Sequence, residues 1–225
     1  MARKPKTVKT ADDVINAALD LALTRSWRDV RLNDIAGEAG MTLAELRELV
    51  PSKVGILKAL AARSDRELLL SLEKDPVEGD VHDRLFDIVM RRLELLEPHK
   101  AAFRNIISDP ADGAADWATL SGALIDSQSW TLAAAGIEEA GRREGVKRQG
   151  LAMVTARTMK VWAEDDDPGL AKTMASLDRS LRDGAKWLER LDAPLAMGQA
   201  FANLALAMLR RRTRPASDET EKPAE

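Results

Sequence analysis

Residues 32–53 read LNDIAGEAGMTLAELRELVPSK, and this stretch decides the fold. Ile35 and Ala39 fall on one helical face, with the small Ala36 beside them, and Gly40 stands where the chain has to turn. Met41, Leu46 and Leu49 then resume a buried face on a second helix. Helix, tight turn and helix in this order make a helix-turn-helix, whose second helix can enter a DNA major groove. That second helix, residues 42–50, carries Glu45 and Glu48 against a single cation, Arg47.

Upstream, Thr10 and Asp13 are spaced as a capping box. They precede a helix in which Val14, Ala18, Leu21 and Ala22 share a face. The first ten residues hold Arg3, Lys4, Lys6 and Lys9 and no acid, so they read as a basic arm. The whole chain is not basic: 34 Lys and Arg stand against 37 Asp and Glu, a net charge of −3, which does not mark it as a general nucleic-acid binder. There is no cysteine, which excludes disulfides, thiolate metal sites and cysteine nucleophiles. The N-terminus lacks the apolar run of a signal peptide, and the expected location is cytoplasmic.

Downstream, the pattern is helical throughout, with no alternating β-branched runs. A fourth helix is expected over 53–73 and a fifth over 81–96, separated by Asp75-Pro76 and Gly79. A short helix carries Phe103, Ile106 and Ile107. A long segment covers 117–144, and Gly141, Gly145 and Gly150 punctuate its end and the residues beyond it. Helices are then expected over 151–163, over 169–191 behind the Asp167-Pro168 start signal, and over 195–212. The final residues, 213–225, are polar with two prolines and read as a disordered tail. The fold class is therefore all-α, divided into the basic arm (1–10), a three-helix helix-turn-helix DNA-binding domain (11–55), a larger helical ligand-binding and dimerisation domain (56–212) and the tail.

The segments VINAALDLALTRSW and DIAGEAGMTLAELRELVPSK resemble the DNA-binding domain of TetR-family transcriptional regulators over about residues 11–60, with no gap between Gly40 and Lys53. The resemblance implies a homodimer joined by a four-helix interface built from residues 151–163 and 169–191. It also implies a ligand-responsive DNA-binding regulator, usually a repressor, with double-stranded DNA, a second copy of itself and an apolar small molecule as partners. Two recognition helices would then meet successive major grooves about 34 Å apart. Three features depart from the family: Arg47 and Val50 replace its aromatic pair, Arg31 replaces a capping Thr or Ser, and Leu43, Ala44 and Glu45 occupy its polar DNA-facing positions. A second resemblance, over VWAEDDDPGLAKTMASLDRSLRDGAKWLERL, is to the TetR-fold lipid-binding proteins of ubiquinone biosynthesis. It implies isoprenoid or lipid binding without DNA, with peripheral membrane contact through the apolar 195–212 helix and its trailing arginines.

The candidate DNA contacts are Thr42, Leu43, Ala44, Glu45, Arg47 and Lys53, with Lys4 and Lys6 of the arm. Lys53 adds a cation beside the amides that open the fourth helix, or is a solvated lysine. Arg47 meets a phosphate, or pairs with Glu48 or another neighbouring acid. Capping alone suffices to explain Thr42. Leu43 and Ala44 can meet a thymine methyl, and Glu45 a cytosine amino group. The arm follows the backbone, enters a minor groove, or merely solubilises the chain. Met90, Phe103, Trp117, Trp130, Met159 and Trp162 are either ordinary core or the lining of a ligand cavity in the bundle. The acidic run 164–167 reads as a solvated loop with Asp167 as a cap rather than a metal site. His82 and His99 show no partner at ligand spacing, and no glycine-rich phosphate loop occurs, so no enzyme chemistry, metal or cofactor is expected.

Overall fold

The computed structural model describes residues 8–108, 113–137 and 142–190. Lys4 and Lys6 of the basic arm, the helix expected over 195–212 and the tail lie outside them. Residues 1–187 form one compact unit, and 188–225 a second, of which only the last turn of a helix falls among the described residues.

The described residues are helical, with no strand. A head is built from α1 (Ala11–Thr24), a single 3-10 turn at Trp27–Asp29, α2 (Leu32–Glu38) and α3 (Leu43–Leu49). A body comprises α4 (Lys53–Lys74), α5 (Val81–Leu96), α6 (Lys100–Ser108), α7 (Ala114–Ala134), α8 (Arg142–Glu164) and α9 (Ala171–Arg190). The capping box ahead of α1 forms: Asp13 Oδ2 accepts from the Thr10 amide at 2.7 Å and its hydroxyl at 3.1 Å. The backbone amide of Thr10 is the larger cause that holds the Asp13 carboxyl below its ordinary pKa.

Head and body share one core. Val14, Ile15 and Ala18 of α1, Ile35 of α2 and Leu46 of α3 are buried with Ile56 and Leu60 of α4. α1 also packs on α6, where Asn105 Nδ2 donates to the Ala22 carbonyl at 2.7 Å. The body is held largely by contact of α4 with α7 and α5, and of α7 with α8.

The turn between α2 and α3 forms where the glycine predicts it. Gly40 sits at φ +63°, its amide bonds the Gly37 carbonyl, and the Met41 amide reaches back to Ala36 at 2.9 Å. This six-to-one closure ends a helix with a left-handed residue, which glycine adopts without a Cβ clash. The same motif ends α7: Gly136 has φ +68°, and the Ile137 amide bonds the Leu132 carbonyl. Within the long segment read over 117–144, α7 therefore starts three residues earlier, at Ala114, and stops at Ala134. Conversely, Gly145 and Gly150 do not break α8, which runs through both from Arg142. Each glycine costs about 1 kcal/mol inside a helix. Packing outweighs that cost, because Leu151, Ala152, Thr155 and Trp162 are buried and Arg148 bonds Asp126 and the Ile125 carbonyl on α7.

The α8–α9 corner also differs from expectation. Pro168 is not the first residue of the helix; α9 begins at Ala171, after Leu170 at φ +51°. Asp167 does cap, accepting from the amides of Gly169 and Ala171, both at 3.2 Å. Asp165, read as solvated, is 1% exposed and accepts from the Thr173 amide at 2.9 Å and hydroxyl at 2.8 Å. Burial alone would raise its pKa. Bonds from the Thr173 hydroxyl and amide and the Asp167 amide, with Lys172 nearby, outweigh burial and hold the carboxyl below its ordinary value.

Candidate nucleic-acid interface

The starts of α2, α3 and α4 converge on one side of the head. There an open cleft of about 450 Å³ is lined by Arg28, Val30, Arg31, Leu32, Asn33, Leu43 and Lys53. Three of these residues are cations and none is an acid. Arg28 and Arg31 are exposed, as are Thr42, Leu43, Ala44 and Arg47 along the outer face of α3. A groove with these properties suits a phosphate backbone, with the exposed face of a short helix beside it.

Each wall has a local cause. Arg31 is the residue before α2 and has no acceptor to offer its helix. Asp34 compensates by accepting from the Arg31 amide at 3.0 Å, which leaves the guanidinium at the cleft. Ser52 caps α4 by accepting from the Gly55 amide at 3.1 Å, and Lys53 stands next to it in the first turn. Lys53 Nζ donates to the Arg28 carbonyl at 3.2 Å and stands 5.0 Å from the Trp27 ring centre. Its ammonium thus ties α4 to the turn after α1 while keeping its charge at the cleft. Trp27 is itself buried at 2% exposure, so this cation–π contact is anchored in the core.

Thr42 and Glu45 serve each other before any ligand. Thr42 Oγ1 accepts from the Glu45 amide at 3.2 Å, and Glu45 Oε2 accepts from the Thr42 amide and hydroxyl. That reciprocal cap engages the carboxylate that the sequence reading offered to a cytosine. Among the described residues no ion pair engages Arg47, so the expected alternative of a bridge to Glu48 does not form. Val50, at the second position of the missing aromatic pair, is 2% exposed and closes the head core instead.

Sequence reasoning missed Arg28 and weighed Arg31 only as a poor cap. The only signal in the sequence was three cations at 28, 31 and 53, which the fold brings to one cleft. Lys9, at the end of the arm, lies beside the turn: its Nζ is 3.7 Å from where a Cβ on Gly40 would stand.

The body residues considered for a ligand divide. Met90, Phe103 and Trp162 belong to the continuous core, and Met159 packs against it. Phe103 and Trp162 meet edge to face with centroids 5.9 Å apart. Trp162 also donates through Nε1 to Glu97 at 2.8 Å and lies 5.4 Å from Lys100 Nζ. Trp117 is half-buried on α7, and Trp130 is 55% exposed. His82 differs from expectation, since Asp80 and Asp83 bring ligand-type atoms within 4.8 Å of it and of each other. His82 Nε2 also lies 3.4 Å from Asp178 on α9. The Asp80 carboxylate is already used, as it accepts from the Asp83 amide at 3.0 Å to cap α5.

No protein-family model matches the sequence, and no curated protein matches it at a significant level. Among solved structures, the chain is similar to the TetR transcriptional regulator from Nitrosomonas europaea, with a TM-score of 0.61 and 23% sequence identity over 78% of this chain and 97% of that one. A TetR transcriptional regulator from Rhodococcus sp. RHA1 gives 0.56 and 18%, over 77% and 93%. At these identities the likeness establishes the fold: an all-α chain with the architecture of TetR transcriptional regulators.

Proposed function

We propose that the chain is a DNA-binding transcriptional regulator, a repressor that acts as a homodimer. Two copies joined through α8 and α9 would present two α3 helices to one duplex. The observation that carries this reading is the convergence of Arg28, Arg31 and Lys53 on one cleft beside the exposed face of α3. Phosphates seated there fix the head on the backbone, and Thr42, Leu43, Ala44 and Arg47 lie along the groove edge. Sequence is read largely through apolar contact and one guanidinium, because Glu45 is engaged as a cap. An apolar ligand taken up by the body is the proposed signal, acting through its different affinity for two arrangements of the body.

Selection from fragmented genomic DNA tests the reading. The full chain should enrich discrete fragments with steep salt dependence, and an Arg31→Ala, Lys53→Ala variant should lose them. Enrichment no greater than that of the variant would refute DNA binding. The lipid-binding alternative draws no support from the α8–α9 corner, whose Trp162, Asp165, Thr173 and Leu177 are spent on burial and on capping α9. Among the described residues no helix is long and apolar enough to cross a membrane.

A further inference from the structure

We propose that the buried Asp65–Arg92 ion pair is a latch that holds α4 in one position, and with it the head whose DNA-binding role is proposed above. Arg92 Nη1 donates to Asp65 Oδ1 at 2.6 Å, joining α4 to α5. Ser127 on α7 donates to the same oxygen at 2.6 Å and accepts from Arg92 Nη1 at 3.3 Å, closing a triangle. Arg92 Nη2 donates to Thr131, one turn further along α7, at 3.1 Å. All four residues are buried, the pair itself at 8% and 5% exposure.

The position of this node is what makes it a latch. The first half of α4, at Ile56, Leu57 and Leu60, shares its core with α1 and with Leu46 of the recognition helix. Beyond it, Leu68 packs with Ile88 of α5 and Ala135 at the end of α7. Asp65 falls between the two halves. Burying charge is a poor way to add stability, because well-packed apolar residues do as well. What the pair adds is geometry: a guanidinium fork, a carboxylate and two hydroxyls one turn apart fit in one register. α4 cannot slide or tilt in the body without breaking several charge-assisted bonds together, so its positions are discrete. Ser64, the neighbour of Asp65, is buried with no partner for its hydroxyl.

The absence of cysteine allows a direct test. Glu48→Cys on α3 and Glu94→Cys on α5 place spin labels at exposed sites on head and body. Diluting labelled with unlabelled full-length protein restricts the measurement to distances within one chain. The chain with Asp65 and Arg92 intact should give one narrow distribution. Asp65→Leu, Arg92→Met should melt cooperatively yet give a broadened or second distance. Ser127→Ala, Thr131→Val, which keeps the pair and removes its α7 partners, should broaden the distribution less and decides the question if the first variant does not fold. A folded variant whose distribution superimposes on the unmodified one overturns the latch. In a parallel arm, retention of selected genomic fragments should weaken by roughly threefold to thirtyfold in Asp65→Leu, Arg92→Met. A chain that retains no DNA at all refutes the regulator reading, while the distances still decide the latch.

Discussion

Glu45 Oε2 accepts from the Thr42 amide at 2.8 Å and from the Thr42 hydroxyl at 3.0 Å, so the acid that counts against α3 in the proposed DNA contact is the one that caps its start. Charge and cap can be separated. Glu45→Gln keeps an acceptor at the third helical position and removes the charge, so it should hold the melting temperature and retain DNA at higher salt. Glu45→Ala should lose about 1 kcal/mol of stability. Thermal melts and anisotropy titrations of the two variants, compared side by side, check the separation.

The cleft predicts a salt signature. Arg31→Ala removes one exposed cation without touching the core, so the slope of log affinity against log salt should fall by about 0.9. Affinity should weaken for every sequence alike, since a phosphate contact carries no base information. Lys53→Ala should do the same and also lower stability, because it forfeits the Arg28 carbonyl and the Trp27 ring. Titrations between low and moderate salt measure the slope, and urea melts the stability.

The buried pair predicts a strong non-additivity. Arg92→Met alone leaves the Asp65 carboxyl buried without its cation, and should cost about 3–5 kcal/mol. Adding Asp65→Leu should recover most of that loss. Urea unfolding of the two singles and the double forms the cycle, and additive losses would contradict it.

Asp165 predicts an acid limb. Its carboxyl lies below the ordinary value in the folded chain. It therefore contributes stability that is full above the unfolded carboxylate pKa, near about 3.9, and lost as pH falls through the lower folded value. Asp165→Asn should reduce stability at neutral pH and flatten the decline below about pH 4. Melting temperatures across that range check the sign.

Gly40 predicts a backbone penalty. At φ +63°, with only Lys9 Nζ within van der Waals reach of a new Cβ, Gly40→Ala should cost about 1–2 kcal/mol through conformation alone. Gly136→Ala should cost about the same, having open space but φ +68°. A loss in the melts of only one variant would show that contact, not φ, sets the cost.

Much of this chain was legible because local chemistry decides it. Gly40, the Thr10–Asp13 pair and the Thr42 cap act within a few residues of themselves, and the helical spacing of Val14, Ala18, Leu21 and Ala22 on α1 needs no partner to be read. The boundaries of α7 and α8 were misread for the opposite reason. Gly136 ends a helix and Gly145 and Gly150 do not, because the buried residues of α8 hold it helical through both glycines.

By itself the sequence determined an all-helical chain opening on a helix-turn-helix, since capping, turn and periodicity are short-range effects. Only the tertiary structure decided which charges meet. Arg28, Arg31 and Lys53 line one cleft, Asp65 and Arg92 are buried as a pair with two hydroxyls of α7, and Asp165 leaves an acidic run to cap α9. Lys53 comes from 22 residues beyond Arg31, and Arg92 from 27 residues beyond Asp65. Separations of that kind carry no periodicity, and whether such charges are solvated or paired is settled only when packing removes the water between them.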